Sequence, residues 1–193
     1  MSVIFGIDEP NQIIICGDKR ASSKEGQFIN DELQKVTVVN THLAFVSAGN
    51  AAIEKALQID ISKSDVVDTV DDIVSIIETF YKRVVETAAK TILMYPFCCL
   101  IAGKTNNDES ALVSLSCMKG KLTYQKAPMA LFPPAGTSID ECNNAFVRNY
   151  KLHHDLFCEL TVQDIAKISS VVSSTGTKWV YNKITGIGTQ TEF

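Results

Sequence analysis

The apolar residues of this chain change period twice, at Gly49 and at Pro96, and those two changes limit the folds open to it. Before Gly49 they come in short β-rich runs. Residues 3–7 and 13–17 flank the turn cluster Asp8-Glu9-Pro10-Asn11, and residues 35–39 and 43–47 flank Asn40-Thr41-His42. Each pair reads as a hairpin, because alternating β-branched residues favour strands while Asp, Asn and Pro favour the turn between them. After Gly49 the apolar positions step by three or four, the spacing of one helix face. Ile53, Ala56 and Leu57 mark a short helix. A long one is expected over 65–93, along Val66, Val70, Ile73, Ile77, Phe80 and Val84. Asp65, Asp68, Asp71 and Asp72 sit where a helix N-terminus favours negative charge, and Glu78–Lys82 and Glu86–Lys90 are favourably ordered pairs.

Pro96 ends that helix and returns the chain to strands. Residues 97–102 form a buried apolar run, and 111–117 with 121–124 form a hairpin around Met118-Lys119-Gly120. The rigid stretch Phe132-Pro133-Pro134-Ala135-Gly136-Thr137 leads into a helix over 138–152. A further helix is expected from Thr161 to the Ser173-Ser174-Thr175-Gly176 stop, and a last strand over 179–187. No linker or repeat divides residues 1–193, so one domain is expected. The order of strands, two helices, strands, two helices and strand predicts an α+β chain. Its expected architecture is a four-layer αββα sandwich, two antiparallel sheets flanked by helix pairs.

Charge and cysteine content exclude several function classes. The net charge is −4 over 193 residues, so no basic field draws in nucleic acid or anionic lipid. The longest uncharged apolar stretch is far too short to cross a bilayer. The N-terminus lacks the basic and apolar regions of a signal peptide, so a cytoplasmic location is expected. Cys16, Cys98, Cys99, Cys117, Cys142 and Cys158 show no CxxC spacing and read as buried free thiols. His42, His153 and His154 have no partners at ligand spacing, so neither a metal nor another cofactor is expected.

The first 60 residues also carry an ordered motif. Ser2 stands before an apolar strand; Cys16-Gly17-Asp18-Lys19-Arg20-Ala21-Ser22 follows; then come Gly26, Lys35 and a strand ending at Ala48-Gly49 before the first helix. This resembles the opening of proteasome β-type subunits and of their bacterial ATPase-partnered relatives, a family of N-terminal nucleophile hydrolases.

The resemblance implies a hydrolase of peptide or small amide substrates. Ser2, exposed by loss of Met1, would be the nucleophile, and its own α-amine the general base. An α-amine titrates at about 7.7–8.0 and is poised near neutral pH without a histidine. Lys35 would hold a positive charge beside Ser2, Asp18 would pair with Lys35, and the Gly49 N–H would help hold the oxyanion. Arg20 would be structural support. The resemblance further implies self-association, a ring being the family's form, and an ATPase partner. Three features depart from the pattern. The nucleophile is Ser rather than Thr. The family's Ser-Gly-Gly is Ala135-Gly136-Thr137 here, which leaves its supporting hydroxyl to Thr137 or Ser138. The acid expected shortly before position 175 is missing. These departures keep a second expectation open, a catalytically inactive scaffold or binding subunit.

Overall fold

The computed structural model describes residues 2–22, 27–49, 51–64, 66–86, 96–118 and 121–193. The strands are β1 Ile4–Asp8, β2 Gln12–Asp18, β3 Ala21–Ser22, β4 Phe28–Asn30, β5 Val36–Asn40 and β6 Leu43–Gly49 in the first quarter of the chain. Helices α1 Ala51–Lys63 and α2 Val70–Glu86 follow, then β7 Phe97–Lys104, β8 Ser110–Met118, β9 Lys121–Lys126 and β10 Met129–Phe132. The last part holds α3 Ile139–Leu152, a 3-10 turn His154–Leu156, α4 Phe157–Ile168, β11 Gly176–Asn182 and β12 Ile187–Glu192.

The four-layer αββα expectation is corrected by this census. The described residues form twelve strands in three antiparallel sheets against only four α-helices, a mostly β chain that does not fit that sandwich. The strand orders are β10-β1-β2-β11-β12, β3-β4 and β5-β6-β7-β8-β9. Strand content is underread from sequence because β3, β4, β10 and β12 contain no fully buried residue. Such strands lack the buried alternation that marks a half-buried strand.

Both hairpins expected before Gly49 are present. Strand β1 pairs with β2 in the register Ile4↔Gly17 to Asp8↔Ile13, and β5 pairs with β6. Buried side chains from both five-stranded sheets meet, among them Ile4, Ile13, Ile15, Val46, Leu100, Leu112 and Trp179. Phe5 of β1 packs against Phe146 of α3 and Phe157 of α4 at ring separations of 5.2 and 6.2 Å. Ile53, Leu57, Ile73 and Ile77 of α1 and α2 are buried with Phe45, Phe97 and Ile101.

Three element boundaries differ from expectation, each for a local reason. Helix α2 starts at Val70 rather than 65. The Asp72 carboxylate accepts from the Thr69 N–H at 2.9 Å and the Asp72 N–H donates back to Thr69 Oγ1 at 3.2 Å, a reciprocal cap that sets the first turn. Val66 is 76 % exposed, so it does not extend the apolar face. The residues expected to finish this helix at 87–93, its expected start Asp65 and the turn residues 119–120 lie outside the described residues. Helix α4 starts at Phe157 rather than Thr161 and ends at Ile168. The expected last strand is two strands, β11 and β12. Asn182 Oδ1 accepts from the Ile184 and Thr185 amides, and Gly186 takes a φ of +70°, which turns the chain back on itself. No helix among the described residues is long and apolar enough to cross a membrane.

Candidate functional site

Strand β2 lies between β1 and β11, which buries its end, and Asp18 is the residue at that end. Its side chain is 0 % exposed, so its carboxylate needs donors to replace lost water. It has four. Oδ1 accepts from Lys35 Nζ at 2.6 Å and from the Val3 amide at 3.0 Å. Oδ2 accepts from the Arg20 amide at 2.9 Å and from the Ser173 amide at 3.2 Å.

Lys35 precedes β5 and is 2 % exposed. Burial pulls its pKa below the ordinary lysine range, while the Asp18 carboxylate pushes it back up. The pair therefore places a buried positive charge on the same oxygen that holds the amide following Ser2. Asp18 and Lys35 are brought together as the motif spacing implies.

Ser2 is half-buried and faces a cavity of about 460 Å³. Gly49, at the end of β6, lines the same cavity, as do Thr137 and Ala135 of the loop before α3. Gly49 has a φ of +118°, and a Cβ there would lie 2.1 Å from the Pro96 carbonyl oxygen, so no other residue fits without moving the start of β7. Lys35 and Asp18 are not among the cavity's lining residues; Asp18 reaches the first strand through the Val3 amide. Met1 and Gly26 of the motif lie outside the described residues.

Arg20 ties the segment after β2 to neighbouring loops. Its guanidinium forks onto Asp31 at 2.7 and 2.8 Å, donates to the Ser170 carbonyl at 2.7 Å and lies 5.2 Å from the Phe28 ring centre. Of the two neighbouring hydroxyls at the end of this loop, Ser138 accepts from the Glu141 amide at 3.3 Å and caps α3. Thr137 is the one beside Ser2's cavity.

Two residues of the site escape the motif. Ser173 donates its amide to Asp18, accepts from the Lys19 amide at 3.0 Å through its hydroxyl, and donates that hydroxyl to Thr175 O at 2.8 Å. Its only sequence signal is the break after α4. Glu54, in the first turn of α1, is the second. Burial pushes its pKa up to about 7, while the Ser47 hydroxyl and the Lys35 ammonium hold it back. Nothing in the helical spacing distinguishes Glu54 from a solvated acid.

The cavity offers the Ser2 hydroxyl and the Gly49 backbone turn in apolar surroundings, and the buried Lys35 ammonium is linked to the amide after Ser2 through Asp18 Oδ1. Among the described residues no three His, Cys, Asp or Glu are grouped to hold a metal ion. No family model matches the chain, and no curated protein matches it.

Proposed function

We propose that this protein hydrolyses amide or peptide bonds with Ser2 as an N-terminal nucleophile, in the manner of the proteasome-like peptidases its opening resembles. The observation that supports this best is Asp18 Oδ1, which accepts from both Lys35 Nζ and the amide next to Ser2 while Ser2 and Gly49 share one cavity. The proposal rests on this site and not on the layer architecture expected from sequence.

The chemistry requires a chain that begins at Ser2. Its α-amine takes the hydroxyl proton as Oγ attacks the substrate carbonyl, and the Gly49 N–H is the oxyanion donor. The tetrahedral intermediate collapses, the amine leaving group departs with the proton, and an ester remains on Ser2. Water, deprotonated by the same amine, then hydrolyses the ester. Lys35 favours the deprotonated hydroxyl and keeps the neighbouring amine from holding its proton too firmly. A Ser nucleophile lacks the methyl that restricts Thr, so turnover about tenfold slower than a threonine site is expected from looser orientation. The same reading includes self-association, a ring with an ATPase partner, and a cytoplasmic setting consistent with six free cysteines.

The second reading is a non-catalytic scaffold or binding subunit. It is favoured by the full occupancy of Asp18, whose four donors make it an anchor for β1, β2 and the 173 turn whatever Ser2 does. The two readings part on one experiment. The protein is produced with Ser2 as its verified first residue and treated with an electrophile selective for N-terminal hydroxyl nucleophiles. Labelling at Ser2 that falls about a hundredfold in Lys35→Ala is the hydrolase result. A free Ser2 terminus in folded protein that takes no label makes the scaffold the correct reading.

A further inference from the structure

The cavity beside Ser2 is apolar to a degree the chemistry at its mouth does not require. Among the described lining residues no charged side chain appears. Its walls are Pro96 just before β7, Met118 at the end of β8, Phe132 at the end of β10, Pro133 and Pro134 of the loop before α3, and Ile139 in the first turn of α3. Three of these six are prolines, whose fixed φ leaves little freedom for the wall to collapse or rearrange. Cys98 also lines the cavity, and burial pushes its thiol up to about 11, so it adds no negative charge near neutral pH. Ile139 at 61 % and Met118 at 56 % exposed are large apolar side chains left uncovered at the rim. A volume of about 460 Å³ falls within the range of small-molecule sites, which are mostly apolar with a few polar groups at one end.

We propose that this cavity is a specificity site for an uncharged, bulky apolar group of the substrate, an aromatic or branched aliphatic side chain next to the bond that Ser2 attacks. This rests on the hydrolase reading for the word substrate, but the preference itself belongs to the walls. An apolar side chain entering the cavity leaves water and meets Pro, Met and Phe surfaces. A Lys or Glu side chain entering it meets no counter-charge among the described lining residues and loses its hydration. The few polar groups, Ser2, Ser116 and Thr137, are hydroxyls, suited to the amide that follows such a side chain rather than to an ion.

The test is direct binding, which needs neither a free amine nor turnover. The α-amides of N-acetyl-phenylalanine, N-acetyl-lysine and N-acetyl-glutamic acid, the last with its γ-carboxylate free, are titrated into the full chain and followed by ligand-observed NMR. Expected is binding of the phenylalanine amide about tenfold or more tighter than either charged amide. Ala135 is an exposed wall residue, so Ala135→Trp fills the space without disturbing the core, and Ile139→Lys brings a cation to the rim. Each is expected to weaken the phenylalanine amide by about tenfold with its unfolding midpoint unchanged. Equal binding of the three amides, binding of none, or phenylalanine-amide binding that survives Ala135→Trp overturns the proposal. Failure of Ser2 to take an electrophile with the preference intact overturns the hydrolase reading alone.

Discussion

Removing the partners of Asp18 one at a time separates its electrostatic from its hydrogen-bonding role. Lys35→Met keeps the buried apolar stem and deletes the ammonium. Breaking a buried pair this way costs about 3–5 kcal/mol when the remaining charge is left alone. Here the Val3, Arg20 and Ser173 amides still donate to Asp18, which places the loss at the low end, about 3 kcal/mol. Asp18→Asn is worse. One carboxylate oxygen becomes an NH2 facing two of the four donors, each orphaned N–H costs about 1–3 kcal/mol, and Lys35 loses its counter-ion, for a total of about 4–5 kcal/mol. In a chain of this length about 3 kcal/mol corresponds to a fall in Tm of about 6–12 °C. The double variant is expected to be less destabilised than the sum of the two by about 2 kcal/mol, because each single change already breaks the same bond. The assay is urea unfolding followed by the fluorescence of Trp179, the sole tryptophan and fully buried. Additive losses, or a Lys35→Met variant less stable than Asp18→Asn, would refute the shared-oxygen account.

Gly49→Ala is expected to cost about 3 kcal/mol or more, since it forces a side chain into a positive φ and onto the Pro96 carbonyl; thermal unfolding measures it. Thr69→Ala removes the α2 cap and should cost about 1 kcal/mol in the same assay. Glu54 holds a proton more tightly folded than unfolded, so its contribution to stability is full below about pH 4.5 and is lost as pH rises through about 7. Glu54→Gln, which cannot ionise, should therefore unfold at a higher urea concentration than the parent at pH 8 and at the same concentration at pH 4.5. A variant that trails the parent at pH 8 would mean that the Glu54 charge is favourable in the fold.

The Asp18–Lys35 contact was legible only through the resemblance carried by the first 60 residues, because β2 and β5 lie in different sheets and hairpin spacing alone does not bring the two residues together. Ser173 was not, because it reaches Asp18 across 155 positions and only the order β1-β2-β11 brings it there. Glu54 was not, because a helical acid gives no sign in the sequence that its carboxyl turns toward a buried lysine. At the level of architecture the two period changes at Gly49 and Pro96 correctly located hairpins and helices. The balance between them was misjudged: strands such as Phe28–Asn30, exposed at all three positions, carry no period to read. The Asn182–Gly186 turn was visible as residue types but hidden inside a run whose ends are both β-forming.

The placement of β2 has a consequence for the timing of synthesis. Its two neighbours are made far apart in time, β1 at Ile4–Asp8 and β11 only at Gly176–Asn182. A growing chain of about 160 residues already holds Ser2, Lys35 and Gly49, yet Asp18 still lacks the Ser173 amide and β2 presents a bare edge. The donor set of Asp18 and the cover of β2 are thus completed only after Gly176–Asn182 has been made. A fragment that stops short of β11 carries every lining residue of the cavity without the strand that covers the edge of β2.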